Sequence, residues 1–415
     1  MIDIKLIRSN PELIQAGCKR KGVNVPLKEI LSLDKKHRSL IQKIEKIREE
    51  RNKTKNNKDC SEKEREEGKK LKEEIKEIDS QIKVTEKKLK DLMRKIPNLP
   101  DKSVPVGEKE ENNIVLKSVG EKPLFDFPPK SYLELTRSFD LIDTKRAAKV
   151  SGSRFAYLKK EMVLLEFALI NLAFDVTKEK SFIPLLPPVM IKSQIMEELG
   201  YTGLEENDNT YHLLQDDLSL VGTSEHSIGS MYKDEILKEE DLPLRFVGFS
   251  TCFRREAGAY GKDVKGIMRL HQFDKIEMFS FCKPDQSEDE HLLIQDMEES
   301  LMQKLQIPYR LVKLCEGDLC TPSAITLDIE SWIPSEKRYR ETHSSSNCTD
   351  YQARGLNIRY HQKDQTTAYV HTVNGTAFAI GRTLIALLEN HQQKDGSIKM
   401  PPALHKYLGF KIIRK

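Results

Sequence analysis

Hydrophobic residues in the N-terminal quarter of the chain recur at alternating spacings of three and four, in two successive stretches. This spacing is typical of helices that pack along a common seam. The segment 27–96 contains one Gly and no Pro, and Pro97 ends it. Between the stretches, residues 52–68 lose the apolar seam and contain Asn, Asp and Ser, which favour turns. The first seam is Leu33, His37, Leu40, Ile44, Ile47, Arg51 and Thr54, and the second is Leu71, Ile75, Ile78, Ile82, Thr85, Leu89, Leu92 and Ile96.

This pattern predicts an antiparallel coiled-coil hairpin over residues 27–96, with two helices of about 30 residues each. At about 1.5 Å per residue, the arm would project about 45 Å. A shorter helix is predicted before it, because Asn10 can cap a helix that begins at Pro11, and Gly22 would end it. We assign residues 1–100 to an N-terminal domain that contains this arm.

The remainder of the chain predicts a different kind of structure. Residues 101–120 contain Pro, Asp, Gly and Glu, and we interpret them as a linker. Residues 121–415 mix short strand-like and helical patterns, as in an α+β domain. Within them, a broad apolar face over 161–178 predicts a helix.

Charge is concentrated in the predicted arm. The chain has 415 residues and a net charge of +4. Residues 34–96 contain 22 Lys and Arg against 15 Asp and Glu, a net charge of +7, so the remainder carries −3. From the pattern alone, the arm is either a solvated coiled coil, including one used for dimerisation, or a basic surface for a phosphate backbone.

Composition argues against a membrane or secreted protein. The most apolar stretch, 162–176, is short and contains acidic residues, so it does not predict a membrane span. The first residues lack the pattern of a signal peptide. The seven Cys are scattered and odd in number, which is typical of reduced thiols. We therefore expect a cytoplasmic protein without membrane contact.

Two strand-like segments, 244–256 and 271–282, flank a loop that contains Gly258, Gly261 and Gly266. Their arrangement predicts an antiparallel hairpin with a long connection.

Strand periodicity sorts the side chains of this hairpin. Arg254 and Glu256 share a face of the first strand, and Phe273, Lys275 and Glu277 share a face of the second. A cation, an aromatic ring and carboxylates suit the phosphate, base and amino groups of a nucleotide. A surface ladder of salt bridges fits the same pattern.

A strand over 367–373 is predicted to run into Asn374 and Gly375 and then into an apolar helix that contains Arg382. An arginine among apolar neighbours needs an anionic partner, which is either a bound phosphate or carboxylate or a structural ion pair.

Two further clusters contain candidate oxygen ligands. Glu341 is followed by a Ser-rich run that begins at Ser344, and carboxylate with hydroxyl suits Mg²⁺, although Ser-rich turns are common. Thr223 and Glu225 flank Ser224, and this group fits either an ammonium site or a helix cap. The sequence contains no Walker A loop and no dinucleotide fingerprint, so a nucleotide would bind to another architecture.

Together these segments resemble the class II aminoacyl-tRNA synthetases, and within them the seryl-tRNA synthetase family. The resemblance covers nearly the whole chain, and the order of its motifs behind the arm makes it specific. The matching segments are MIDIKLIRSNPELI, the arm, LLPPVMI with Pro188 as the motif 1 proline, TSE at 223–225, FRREAGAYGKDVKGIMRLHQFDKIE as motif 2, SSSNCTDYQAR at 344–354, and NGTAFAIGRTLIALLENHQ as motif 3.

The resemblance implies a class II catalytic domain over 121–415, with a mainly antiparallel β-sheet flanked by helices. It implies activation of serine by ATP and Mg²⁺, transfer to tRNA(Ser) and also tRNA(Sec) held by the arm, and a homodimer formed through motif 1. The implied serine-binding residues are Thr223, Glu225, Glu277, Asn374 and Thr376. The implied ATP-binding and catalytic residues are Arg254, Glu256, Arg269, Phe273, Glu341, Ser344 and Arg382, with Glu341 and Ser344 as Mg²⁺ ligands.

Individual roles follow from the same resemblance. Arg254 would hold the α-phosphate, and Glu256 would contact the adenine amino group. Phe273 would stack on adenine opposite Arg382, which would also reach the γ-phosphate. Arg269 would join the phosphate contacts.

Three positions depart from the family pattern. His343 stands where Ser is frequent, Cys320 replaces a frequent Gly, and Gly355 stands where a second Arg is usual. We expect Cys320 to alter a local turn and His343 to affect secondary metal contacts. Two other readings remain: a paralogue, inactive or charging a carrier protein, and a non-catalytic coiled-coil interaction protein.

Overall fold

The computed structural model describes residues 1–55, 62–201, 209–256 and 265–414. It divides into a unit formed by Ile2–Pro97 and a unit formed by Met1 and Asn98–Lys415. The helices are α1 (Ile4–Ser9), α2 (Pro11–Arg20), α3 (Leu27–Lys55), α4 (Glu62–Met93), α5 (Tyr132–Phe139), α6 (Thr144–Ser151), α7 (Glu161–Lys178), α8 (Ser193–Leu199), α9 (Glu225–Gly229), α10 (Ser287–Lys304), α11 (Tyr351–Leu356) and α12 (Ile380–Asn390).

The N-terminal unit is helical. Asn10 caps α2 as predicted, because its side-chain oxygen accepts a hydrogen bond from the Leu13 amide at 3.1 Å. The long helices α3 and α4 form the predicted helical arm, and their seam buries Ile44, Ile47, Ile75 and Ile78 against Leu40, Leu71 and Ile82. Both helices extend into the segment 52–68 that we expected to turn, and residues 56–61 of that segment lie outside the described residues.

The C-terminal unit contains eighteen strands within the described residues. They are β1 (Ile114–Val119), β2 (Ile142–Asp143), β3 (Tyr157–Leu158), β4 (Ile183–Leu185), β5 (Met190–Lys192), β6 (His212–Leu213), β7 (Leu218–Leu220), β8 (Ile236–Lys238), β9 (Leu244–Phe253), β10 (Gln272–Cys282), β11 (Tyr309–Lys313), β12 (Ile325–Ile333), β13 (Arg338–Thr349), β14 (Arg359–His361), β15 (Thr367–Tyr369), β16 (His371–Ala379), β17 (Ile398–Lys399) and β18 (Ile412–Ile413).

The central sheet has eight strands in the order β1-β11-β12-β13-β16-β10-β9-β4. Every neighbouring pair is antiparallel except β4 and β9, which run parallel. The mainly antiparallel α+β architecture is therefore confirmed. Helices α7, α10 and α12 pack through Leu169, Ile294 and Leu384 into the largest core cluster, which also contains Met278 and Phe378 of the sheet.

Alternation along β10 separates this core from the other face of the sheet. Ile276 and Met278 enter the core, whereas Phe273, Lys275 and Glu277 face a cavity. Further along the same strand, Phe279 and Phe281 enter a second apolar cluster that also contains residues of α8, α9 and α11. The cavity thus lies over one part of this sheet, and helices α8, α9 and α11 pack on another part.

The interpretation of residues 101–120 as a linker is wrong for much of this segment. Val104 is buried against Val312, Leu314 and Leu319, and β1 pairs with β11 and forms the edge of the sheet. The Pro and Gly content suggested an irregular segment. The open backbone groups of β11 and the apolar side chains beneath them nevertheless order it as part of the sheet.

The strand before Arg382 is also longer than predicted. Asn374 and Gly375 do not form a turn, because β16 continues through them and α12 begins only at Ile380. Both residues are paired with β10 and β13 on either side. A Cβ on Gly375 would lie 2.3 Å from Ile294, so glycine is needed here for close packing. Among the helices described, none combines the length and apolarity required to cross a membrane.

Candidate active site

A cavity of about 390 Å³ lies on the open face of the sheet. Its walls come from the central strands β9, β10, β13 and β16, the segment before α9, and the first turn of α12. All twelve candidate site residues line this one cavity: Thr223, Glu225, Arg254, Glu256, Arg269, Phe273, Glu277, Glu341, Ser344, Asn374, Thr376 and Arg382. The structure therefore brings together side chains that are up to 159 positions apart in the chain.

One irregularity in the sheet sets the directions of two of these side chains. Glu341 and Ser344 are three residues apart, and a regular strand would turn them to opposite faces. The register between β12 and β13 shifts at Thr342, so that Ile329 pairs with His343 and Glu330 with Glu341. This bulge places both predicted oxygen ligands on the cavity wall.

Each of the three candidate arginines has a protein partner in the cavity. Arg382 forms an ion pair with Glu341 at 2.9 Å, and Arg269 forms one with Glu256 at 3.1 Å. The Nε of Arg254 donates to the Gly222 carbonyl at 3.1 Å, and its guanidinium lies 5.3 Å from the ring centre of Phe273. These contacts hold cationic groups around a space that an anion can enter.

Electrostatics keeps the Glu341–Arg382 pair ionised. Desolvation acts to raise the pKa of Glu341, but the charges of Arg382 and then Arg254 outweigh it and lower that pKa. In return, the charge of Glu341 raises the pKa of Arg382. The pair therefore presents a carboxylate and a guanidinium side by side.

Buried carboxylates form the other end of the cavity. Glu277 contacts the ammonium of Lys275 and accepts a hydrogen bond from the Thr223 hydroxyl at 3.0 Å. On the neighbouring strand, Thr376 pairs with Glu277 in the register of the sheet. Desolvation, followed by the charge of Glu277, raises the pKa of Glu225. This end is thus polar and contains two buried carboxyl groups.

Several cavity residues were not among the sequence candidates. Tyr201, His226 and Cys320 line the cavity, and Gln352 contacts it through Glu225. His226 lies next to the Thr-Ser-Glu cluster and could have been included on that ground. No local pattern marks Tyr201 or Gln352, since they reach Glu225 only through the fold.

A second cavity of about 720 Å³ continues from the first along β11, β12 and β13. The two share Arg269, Cys320, Glu341, Ser344 and Arg382 among their lining residues. Cys320 therefore lies at the junction of both cavities, a position that its expected role in a local turn did not suggest.

The two remaining departures from the family pattern have structural explanations. His343 is buried on the core side of β13, with its ring 5.8 Å from that of Phe378, and burial lowers its pKa to about 3. It therefore does not replace a ligand on the cavity wall. A Cβ on Gly355 would lie 1.8 Å from the Glu198 carbonyl oxygen, so α11 requires glycine there to approach α8.

The cavity residues fit a magnesium ion. Within residues 1–55, 62–201, 209–256 and 265–414, no three His, Cys, Asp or Glu side chains form a metal cage. Magnesium needs few protein ligands where phosphates and water supply the rest. Glu341 and Ser344 offer a carboxylate and a hydroxyl on one wall, and the Oδ1 of Asp328, paired with Ser344 in the sheet, is buried without a hydrogen bond from the described residues.

Comparison with known proteins agrees with this arrangement over the full chain. The profile of the seryl-tRNA synthetase N-terminal domain matches residues 1–100, and that of the tRNA synthetase class II core domain (G, H, P, S and T) matches residues 210–391. The serine–tRNA ligases of Dictyoglomus turgidum and Pyrococcus abyssi are each 43% identical to the chain, which they match over its whole length, with 99% and 97% of their own lengths covered.

Solved structures show the same relationship. The seryl-tRNA synthetase of Pyrococcus horikoshii complexed with ATP is 39% identical, with a TM-score of 0.90 and coverage of 100% of this chain and 99% of that one. The cytoplasmic enzyme of Naegleria fowleri in complex with AMP is 31% identical, with a TM-score of 0.87 and the same coverage. With both domains matched in order and every candidate residue in one cavity, the chain belongs to the seryl-tRNA synthetase family of class II serine–tRNA ligases.

Proposed function

We propose that the chain activates L-serine with ATP to form seryl-adenylate and pyrophosphate, and then transfers the seryl group to the 3′ end of tRNA(Ser). The observation that supports this most directly is the single cavity that joins three arginines and an aromatic ring to a small acidic pocket. Family membership supports the reaction, and the two different ends of the cavity support separate sites for ATP and serine.

The arginine end is the proposed ATP site. Arg254 would hold the α-phosphate, and Phe273 would stack on adenine with Arg382 on its other side. Arg269 and Arg382 would hold the outer phosphates, and Glu256 would accept a hydrogen bond from the adenine amino group. On binding, the phosphates would replace the carboxylates that now pair with Arg269 and Arg382.

The acidic end is the proposed serine site, formed by Thr223, Glu225, Glu277, Asn374 and Thr376. A site that hydrogen-bonds the substrate hydroxyl rejects alanine, because alanine would leave buried polar groups unpaired. The methyl group of threonine would require space that a closely packed pocket does not offer.

The chemical step needs charge stabilisation more than proton transfer. A carboxylate oxygen of serine attacks the α-phosphorus, and the bond from that phosphorus to the pyrophosphate oxygen breaks. The nucleophile is already ionised, so the arginines act by holding the charge of the transferring group. The terminal hydroxyl of tRNA then attacks the serine carbonyl carbon and gives its proton to the departing phosphate, and AMP leaves with the electron pair of the broken C–O bond.

Glu341 and Ser344 would hold Mg²⁺ beside the phosphates. The ion supplies positive charge that offsets the charge on the polyphosphate. Arg382 pairs with Glu341 in this structure, so the carboxylate that would hold the ion lies beside the guanidinium that would bind the phosphates.

The helical arm is the proposed binding site for tRNA. Its sequence carries the +7 excess of residues 34–96, which suits a phosphate backbone recognised by charge and shape. We extend the proposal to tRNA(Sec), which the same arm would hold. Since charged tRNA serves translation, we propose the cytoplasm as the compartment.

We also propose a homodimer formed through motif 1. On α7, Leu164 and Phe167 are 51% and 57% exposed, and Ile183 and Leu186 in or beside β4 are 51% and 77% exposed. These side chains lie in and near the motif 1 segment and would be buried by a second copy of the chain.

Serine-dependent exchange of pyrophosphate into ATP tests the proposal. We expect exchange with L-serine, and none above background with L-alanine or L-threonine. The result that would contradict the assignment is no exchange with serine or a preference for another amino acid. Charging of tRNA(Ser) by the same preparation separates this proposal from a paralogue that charges a carrier protein.

A further inference from the structure

The Glu225 carboxylate is buried in the cavity wall and forms no ion pair with the described residues. It begins helix α9 and is 5% exposed. Its hydrogen-bond donors are neutral: the Tyr201 hydroxyl at 2.8 Å and the Gln352 amide at 2.7 Å. An ionised carboxylate in such a place requires a countercharge.

The other carboxylate of the pocket differs in this respect. Glu277 is already paired with Lys275 and accepts a hydrogen bond from Thr223. Glu225 is therefore the carboxylate whose charge remains to be matched when the cavity fills. An amino acid substrate carries an α-ammonium group of the required sign and size.

Both neutral donors contact the same oxygen of Glu225, Oε1. Gln352 is held in turn, because its own oxygen accepts a hydrogen bond from the buried Thr372 hydroxyl at 2.7 Å. This contact fixes which end of the amide faces Glu225. Two donors on one oxygen set the plane of the carboxylate, and no described side chain donates to Oε2.

Tyr201 is also held from several sides. Its ring lies 4.5 Å from the ring of His226, and its amide donates to the Met196 carbonyl at 3.0 Å. Gly200 turns the chain at φ +102°, a conformation that favours glycine. The end of α8 thus delivers the Tyr201 hydroxyl to the serine end of the cavity, while desolvation raises its pKa and keeps it a donor.

We infer that Tyr201, together with Gln352, is a positioning residue for Glu225 and aligns this carboxylate with the α-ammonium group of the serine substrate. The inference rests on the proposed function and deepens it, since it adds two residues that act on the proposed serine site through Glu225. It also explains why a tyrosine outside the sequence motifs lies on the cavity wall.

The test is Tyr201→Phe in the full chain, measured by serine-dependent pyrophosphate exchange. The change removes one hydroxyl and keeps the ring against His226, so folding should be retained and is checked by thermal unfolding. We expect KM for serine to rise about tenfold or more, as for the loss of one hydrogen bond to a charged acceptor. We expect kcat and KM for ATP to stay within about twofold.

A pH profile separates positioning from general loosening of the pocket. Loss of the tyrosine donor disfavours the ionised form of Glu225, so the acidic limb of kcat/KM for serine should move to higher pH. Tyr232→Phe is the control, since Tyr232 packs against Phe246 and Phe281 and does not line the cavity. It should leave KM and the profile unchanged.

The outcomes distinguish this inference from the proposed function. If the natural chain shows no serine-dependent exchange, the proposed function fails. If it does, and Tyr201→Phe leaves KM for serine and the acidic limb unchanged, the positioning role is wrong. An equal rise of KM for serine and for ATP would also overturn it, because that result indicates a distorted cavity.

Discussion

At the scale of single residues, Arg382 lies beside both the proposed phosphate site and the proposed Mg²⁺ site. It pairs with Glu341, a proposed Mg²⁺ ligand, and it belongs to the first turn of α12. The sequence required an anionic partner for this arginine but did not identify it. In the structure this partner is Glu341. A bound phosphate would compete with Glu341 for the same guanidinium.

Arg382→Ala should lower kcat/KM for ATP in the exchange reaction by at least about 100-fold, the usual effect of removing one group that stabilises transition-state charge. The measurement is serine-dependent exchange at varied ATP. Arg146→Ala is a matched control, since Arg146 is exposed on α6 and pairs with Asp143 outside both cavities. If Arg382→Ala lowers kcat/KM for ATP by less than about fivefold, the role of this residue is structural.

Gly355 and His343 show why single positions resist interpretation from sequence. Each departs from the family pattern, and each is explained by a neighbour that is distant in the chain or across the sheet. Gly355 packs on the Glu198 carbonyl, and His343 packs on Phe378. Neither neighbour is indicated by local spacing.

At the scale of elements, a pair of carboxyl groups lies between α7 and β10. Desolvation, with Asp274 as the neighbouring acid, raises the pKa of Glu166 on α7. The Oδ1 of Asp274 is buried without a hydrogen bond from the described residues. We therefore expect a proton on Glu166 to be shared with Asp274 and to hold the helix on the sheet.

This arrangement predicts a pH-dependent stability. A carboxyl group whose pKa is raised by folding binds more protons in the native state, so the free energy of unfolding falls as the pH rises from about 5 to about 8. Glu166→Gln keeps a donor for Asp274 at every pH. It should increase the free energy of unfolding at pH 8 by about 1–3 kcal/mol, with a smaller difference at pH 5.

Denaturant unfolding at several pH values provides the measurement. Glu179→Gln, an exposed change at the end of the same helix, should follow the natural chain at each pH. Parallel curves for Glu166→Gln and the natural chain would show that no proton is shared.

The elements themselves were predicted to different degrees. Apolar spacing identified α7 at 161–178 and the two arm helices, because helical periodicity is a local property. The end of the strand before Arg382 was misplaced, since Asn374-Gly375 is a turn signal in isolation. Hydrogen bonding to β10 and β13 on both sides overrides that signal.

At the scale of the whole molecule, the candidate residues all fall between 223 and 382, outside the arm. Deletion of residues 34–96, with a short Gly-Ser connection, should therefore keep serine-dependent exchange within about twofold of the natural chain. Charging of tRNA(Ser) should fall by at least about 100-fold, because the basic grip on the phosphate backbone is removed. Aminoacylation assays give this value, and charging that survives the deletion would place the tRNA contact elsewhere.

The proposed dimer has a separate test. Phe167→Glu places a charge on the exposed apolar face of α7 and should shift the mass measured by light scattering from twice 47.9 kDa towards 47.9 kDa. Val84→Glu is the control, because Val84 is similarly exposed, at 55%, but belongs to α4 of the arm. A natural chain that is monomeric, or a Phe167→Glu variant that stays dimeric, would contradict an interface at α7.

The sequence by itself determined the helical arm, the order of the motifs and twelve of the residues that line the cavity, because each rests on local periodicity or on a motif. The tertiary structure decided what depends on contacts between distant segments. It turned 114–119 into an edge strand, used a bulge at Thr342 to bring Glu341 and Ser344 to one wall, and brought Tyr201 and Gln352 to Glu225. Side-chain spacing along a chain cannot encode such contacts, since they arise only when strands and helices from separate segments pack together.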